Sequence, residues 1–213
     1  MLFIDRAYHT DHADHIPRVH RPLPRATLCS DEQFCRIYLL APTWFKCFLL
    51  LCRNLGLRHR EASQLTPRAY NPDSNTITFK RKAGGTSHLP ITAELGTMIR
   101  YAASKDLDAP LLTTLGCNSN TKWSISYHWR VLKKRTGADP NLIIHDLRRT
   151  AINALYTRTK DLRLAQQLAG HRDLNSTLHY ISPLTDPDKL REVLPDIAPV
   201  DVLSLTPITD TKQ

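Results

Sequence analysis

Between residues 27 and 195 the apolar positions recur at helical spacing, except over residues 68–91, where short alternating runs replace them. Ser30-Asp31-Glu32-Gln33 opens the first helix: Ser30 can cap the free N–H groups, and Gln33 stands three residues on, as in a capping box. Phe34, Ile37 and Tyr38 follow at helical spacing. After Pro42, a second helix is predicted over residues 43–54. Its Trp44, Phe45, Phe48, Leu49, Leu50 and Leu51 are too many for one exposed face, which predicts a central core helix. Gly56 suits a helix stop and restart. Leu57, Glu61 and Leu65 then share one face, so Arg58 points elsewhere from the start of the next helix.

Arg68-Ala69-Tyr70 and residues 76–80 flank a turn built of Asn71-Pro72-Asp73-Ser74-Asn75. Residues 83–86 turn the chain again, into a third run over 87–91. A helix is predicted from Thr92, carrying Leu95, Met98 and Ile99, and residues 104–122 read as a loop with Pro110, Gly116 and Asn118. Helices are predicted over 124–136 (Ile125, Trp129, Leu132 inward), 149–159 and 162–168, with a short one capped by Asp173 or Asn175 and ending near Tyr180. One more runs over 186–194, with Pro187 in its first turn. The fold class is therefore α+β, mainly α, with a small three-stranded antiparallel sheet.

Charge changes this picture. The chain carries 29 Lys+Arg against 20 Asp+Glu, a net +9, which points to a polyanionic partner, usually nucleic acid. Lys80, Arg81 and Lys82 crowd the second hairpin, and Arg130, Lys133, Lys134 and Arg135 lie mostly on the outer face of the 124–136 helix. Each group reads either as a solvated charge run or as a contact to a phosphate backbone. Residues 1–26 hold His9, His12, His15 and His20 among Pro17, Pro22 and Pro24, and read as an irregular basic arm without fixed metal-ligand geometry. The five cysteines are odd in number and lack Cys-x-x-Cys spacing, so neither a disulfide framework nor a zinc site is indicated. That usage fits a reducing cytoplasm. Met1–Arg6 is charged too early for a signal peptide, and the longest apolar run, residues 47–52, is too short to span a bilayer.

The chemistry gathers in residues 145–180. His145-Asp146-Leu147-Arg148 comes first, Leu168-Ala169-Gly170-His171 next, and Thr177-Leu178-His179-Tyr180 last. Arginine and histidine side chains bind an anionic oxygen, and a tyrosine hydroxyl can attack the phosphorus that bears one. His-x-x-Arg alone is weak; the ordered set resembles the catalytic core of the tyrosine recombinase (phage integrase) family. Gly56-Leu57-Arg58 with Glu61 and Leu65 looks like that family's first arginine box, and Lys82 matches its hairpin lysine. The resemblance spans residues 27–195.

The resemblance implies a role for each residue. Arg58 and Arg148 clamp the non-bridging oxygens of a scissile DNA phosphate, Tyr180 attacks the phosphorus, and His145 serves as acid/base. Lys82 protonates the departing 5′ oxygen, and His171 orients the phosphate by a hydrogen bond. Lys80, Arg81, Arg130, Lys133 and Lys134 are candidate DNA contacts. No cofactor or metal is implied, because arginines supply the charge a metal otherwise would. Family members work as tetramers on paired duplex sites, and residues 186–203 are the segment expected to exchange between subunits. Glu61 and Asp146 fit the pattern as supporting groups.

One departure stands out: only 26 irregular residues precede the catalytic domain, where most members carry a DNA-clamping domain. The expected organisation is an arm (1–26), a catalytic domain (27–195) and a loose tail (196–213), acting alone or beside a full-length recombinase, in the cytoplasm at the nucleoid. Two rivals remain: a non-catalytic DNA-binding remnant or regulator, and a type IB topoisomerase-like enzyme.

Overall fold

In the computed structural model, α2 (Thr43–Arg53) occupies the centre of the domain. Its Phe45, Cys47, Phe48, Leu49 and Leu51 have no solvent exposure. Each large apolar side chain buried this way stabilises the fold by about 1.5–3 kcal/mol. The structure describes residues 27–81, 84–118, 122–171 and 173–178. The arm over 1–26, the helix expected over 186–194 and the tail lie outside the described residues, as do Lys82 and Tyr180.

Around α2 pack α1 (Asp31–Leu40), α3 (His59–Gln64), α4 (Ala93–Ala103), α5 (Leu111–Thr114), α6 (Lys122–Thr136) and α7 (Ile144–Thr159), while α8 (Leu162–Ala169) packs on α7 and α9 (Asn175–Leu178) on α8. β1 (Tyr70–Asn71), β2 (Thr76–Lys80) and β3 (Thr86–Pro90) form an antiparallel sheet in the order β1-β2-β3. The α+β class, mainly helical, stands. Among the described residues no helix is long and apolar enough to cross a membrane.

Local signals account for most boundaries. Ser30 Oγ accepts from the Gln33 N–H at 3.2 Å and the Gln33 side chain accepts from the Ser30 N–H at 3.4 Å, completing the expected capping box. Thr92 Oγ1 caps α4 by accepting from the Leu95 N–H at 3.3 Å.

Three elements differ from expectation. Of the run from Arg68 to Tyr70 only Tyr70 is strand: Pro67–Ala69 make a 3-10 turn and β1 has two residues. Pro67 has no N–H to give a ladder, and its fixed φ suits a turn. The expected loop over 104–122 contains α5, whose Leu111 and Leu112 are fully buried. Lastly, α7 begins at Ile144, five residues ahead of the expected start. Asp146 explains this: its buried carboxylate accepts from the Ile143 N–H at 2.8 Å and satisfies one of the helix's free donors. His145 and Arg148 are therefore one turn apart on a single rigid helix. Thr150, further along it, accepts from the Cys29 N–H at 2.9 Å, tying the start of the described chain to α7.

Candidate active site

Three chain reversals build the site. Just beyond the end of α2 the chain turns at Gly56, whose φ of +62° is the left-handed region that favours glycine. The reversal aims the Gly56 carbonyl at the Nη1 of Arg148, which donates to it in a short hydrogen bond. Two residues on, Arg58 occupies the cap position of α3. Glu61 Oε2 accepts from the Arg58 N–H at 2.8 Å, and Oε1 accepts from its guanidinium at 2.9 Å. The Arg58 side chain keeps 29 % of its surface in solvent, so it is open on one side while Glu61 anchors it on the other.

The second reversal is Gly170, at φ +57°, which ends α8. Arg148 Nη2 donates to the Ala169 carbonyl at 2.6 Å and also to His171 Nε2 at 3.2 Å. Arg148 is 1 % exposed. It is therefore not the open clamp that the resemblance implies: much of its fork is engaged by Gly56, Ala169 and His171. A guanidinium is always a donor, so His171 Nε2 must accept, and its proton sits on Nδ1. Nδ1–H then donates to Thr177 Oγ1 at 3.0 Å, and Thr177 is fully buried in α9. Gln166 fixes the His171 backbone from both sides, its carbonyl accepting at 3.2 Å and its amide donating at 3.1 Å.

The β2–β3 hairpin supplies the third reversal. The Arg81 N–H donates to Gly85 O, and the Gly84 N–H to Arg81 O, both at 3.0 Å. Strand alternation puts Lys80 outward beside Thr78 and turns Arg81 inward with Ile77 and Phe79. Arg81 is thus not the DNA-facing cation that was expected: it is 6 % exposed. Its guanidinium donates to Ser87 Oγ at 2.7 Å, Glu61 Oε2 at 3.3 Å and Leu168 O at 2.9 Å, and lies 4.6 Å from the Phe79 ring centre. Lys133 is also drawn in from the expected basic face, its ammonium donating to Pro140 O at 2.5 Å and Leu142 O at 2.7 Å. Lys80, Arg130 and Lys134 remain exposed.

Four candidates, Arg58, His145, Arg148 and His171, therefore share one region. Their electrostatics say the same. Loss of water, then Arg148, Arg58, Arg81 and His145, push the His171 pKa down to about 4. His145 is also held below its ordinary value, first by the protein displacing water, then by Arg148 and Arg149. Two neutral imidazoles beside three guanidiniums make a site that attracts an oxyanion and can exchange protons. On the other side of Arg58, between α3 and β2, lies a cavity of about 600 Å³ whose lining includes Arg58, Arg60, Glu61, Thr78, Lys80 and Arg81 but not His145, Arg148 or His171. Among the described residues no group of His, Cys, Asp and Glu has the geometry to hold a metal ion.

Arg81, read from the sequence as a DNA contact, carried a signal for its inward role: Ile77, Phe79 and Arg81 fall on one face of an alternating strand. Thr177 had none, because its value lies in a contact to His171 six residues away in the chain.

A pH dependence follows from the neutral His171. Its folded pKa lies below the unfolded value of 6.5, so as pH falls from about 6.5 towards 4 the unfolded chain binds a proton that the folded one refuses. Stability is lost across that window as pH falls. Thermal melts between pH 7.5 and 4.5 should show a shallower decline for His171→Gln than for the native chain; equal slopes would contradict the neutral assignment.

Comparison with known proteins bears on the family and the fold. The family model described as "Phage integrase family" matches residues 32–186. Tyrosine recombinase XerA of Pyrococcus furiosus is 27% identical over 171 residues, covering 77% of this chain and 59% of the relative. XerA of Pyrococcus horikoshii is 28% identical over 184 residues, covering 84% and 63%. The matched region thus spans about three-fifths of these curated relatives. Among solved structures, a XerA recombinase matches with TM-score 0.62 and 21% identity, over 78% of this chain and 63% of that one. XerH bound to its difH substrate, in a pre-cleavage complex, matches with TM-score 0.61 and 20% identity, over 81% and 54%. The integrase of mycobacterium phage Brujita matches with TM-score 0.59 and 23% identity, over 83% and 60%. These structural likenesses show the fold.

Proposed function

The chain belongs to the phage integrase family, and from that premise we propose that it cuts and rejoins duplex DNA at specific sites through a 3′-phosphotyrosine intermediate. The observation that carries this is the meeting of Arg58, His145, Arg148 and His171 around the ends of α2 and α8 and the start of α7, although the four are separated by up to 113 positions in sequence.

Arg58 meets the scissile phosphate directly, since its side chain keeps 29 % of its surface in solvent while Glu61 holds it from behind. Arg148 acts from beneath. A phosphate oxygen competes with His171 Nε2 for the Arg148 Nη2–H, and the fixed positive charge counts for more in a dry site than in water. Tyr180 supplies the nucleophilic oxygen, His145 takes the phenol proton, and Lys82 delivers one to the leaving 5′ oxygen. The phosphodiester energy is kept in the phosphotyrosine bond, so a second strand's 5′ hydroxyl can reverse the step without a nucleotide cofactor. Lys80, Arg130 and Lys134 are the exposed cations proposed to track the DNA backbone. Duplex DNA and further copies of the chain on paired sites are the proposed partners, with residues 27–195 as the catalytic unit.

A direct test uses a biotinylated library of nicked duplexes with randomised centres. Incubation with the protein, denaturation in SDS and recovery of DNA-linked protein should enrich one sequence class, with the link mapping to Tyr180. Tyr180→Phe should leave no covalent product. Sequence-enriched but purely non-covalent binding would favour a regulator, and single-copy relaxation of supercoils without enrichment would favour a topoisomerase-like activity.

A further inference from the structure

Arg81 is a buried cation for which the cleavage chemistry above has no use. It is also the place where three elements meet. Its three donors reach β3 at Ser87, α3 at Glu61 and the last turn of α8 at Leu168. The carbonyl after Leu168, that of Ala169, is held by Arg148. Two guanidiniums, one from the hairpin and one from α7, thus hold the negative end of α8 just ahead of His171. Space has been cleared for this arrangement. A Cβ on Gly170 would stand 2.8 Å from Arg81 Nε and 2.9 Å from Cδ, closer than side-chain carbons approach. On the α3 side, the Glu61 carboxylate that receives Arg81 also receives Arg58.

We propose that Arg81 is a positioning residue for strand cleavage: its fork locks β2 and β3 against Glu61 and the end of α8, at the position just before Lys82 in the sequence. This deepens the cleavage reading and rests on it. In the step concerned, the Tyr180 oxygen bonds to phosphorus and the P–O5′ bond breaks. The phenol proton passes to a base, and the Lys82 ammonium gives a proton to the departing 5′ oxygen, leaving the overall proton count unchanged. Proton delivery needs the lysine within hydrogen-bond reach of that oxygen. A hairpin hinged at an unanchored residue 81 would not hold it there, and displacement by about 1 Å costs on the order of 100-fold in rate. A guanidinium is the fitting residue: a lysine at 81 has one donor atom and spans fewer of the three acceptors.

The experiment is single-turnover covalent cleavage of a nicked suicide duplex, of the sequence enriched from the library above, made with either oxygen or sulfur at the bridging 5′ position. A thiolate leaves without protonation, so sulfur bypasses the acid. Native protein, Lys82→Ala and Arg81→Met are compared. Arg81→Met should cleave the oxygen substrate about 100-fold more slowly than native and the sulfur substrate within about threefold of it. Equal slowing on both substrates, with Lys82→Ala rescued by sulfur, overturns the positioning role and leaves Arg81 a fold-stabilising residue. No rescue of Lys82→Ala by sulfur instead removes Lys82 as the acid, a failure of the cleavage reading itself. If Arg81→Met is insoluble, Ser87→Ala, which deletes only the acceptor of the Nε–H bond, is read the same way, with a sulfur-to-oxygen rescue ratio above about threefold expected and a ratio of one overturning the role.

Discussion

Arg148→Ala should lose both cleavage and stability, the largest combined effect of any substitution in this chain. Its guanidinium donates to Gly56 O, Ala169 O and His171 Nε2, and the side chain is 1 % exposed. Removing it strands two buried carbonyls that no water easily reaches and opens a cavity between α2, α7 and α8. Hydrogen bonds to a charged donor contribute about 1.5–3 kcal/mol each, but relaxation recovers part, so a loss of about 3–5 kcal/mol is expected. Urea unfolding reads this as a lowered midpoint. The single-turnover cleavage rate should fall at least about 100–1000-fold, the usual cost of losing a preorganised electrostatic donor. Arg148→Lys separates the two effects: it keeps the charge while losing the fork, so its rate should recover more than its stability. An alanine variant with a midpoint near native would mean that the three contacts carry little of the fold.

Gly170→Ala is the second large effect, and it acts through backbone and space together. The residue sits at φ +57°, which costs a non-glycine residue about 1–2 kcal/mol. The new methyl also meets Arg81 Nε, Cδ and Cζ at 2.8, 2.9 and 3.1 Å. Those atoms cannot swing aside freely, because the guanidinium is bonded at both ends. A total of about 2–4 kcal/mol is expected, read from thermal or urea unfolding. The second half of the prediction is the coupling. Gly170→Ala with Arg81→Ala should lose clearly less than the sum of the single losses, since deleting Arg81 removes the obstacle. Strict additivity would show that Arg81 does not run past Gly170 in solution.

Several features were legible in the chain because their physics is local. The Ser30–Gln33 capping box, the all-round apolar character of α2, the hairpin and the glycine at the end of α8 are each written within a few neighbouring residues. The ordered positions Arg58, His145, Arg148 and His171 were legible for a different reason: their order and spacing resemble the tyrosine recombinase pattern, although no single one of them carries a local signal.

Part of what escaped was local: the early start of α7 depends on Asp146 turning back three residues to Ile143, a use of that carboxylate that the motif around it disguised. The rest was not. Arg81 and Lys133 both read as members of surface charge runs. The structure turned them inward because acceptors lay waiting: Glu61 and Leu168 for one, the carbonyls of Pro140 and Leu142 for the other. By itself, then, the sequence determined most of the elements, the basic character of the molecule and the cast of reactive groups, since propensity, periodicity and charge belong to residues. Only the tertiary structure decided which of those cations face a ligand and which brace the site, because burying a guanidinium is tolerable only where several distant acceptors converge on it.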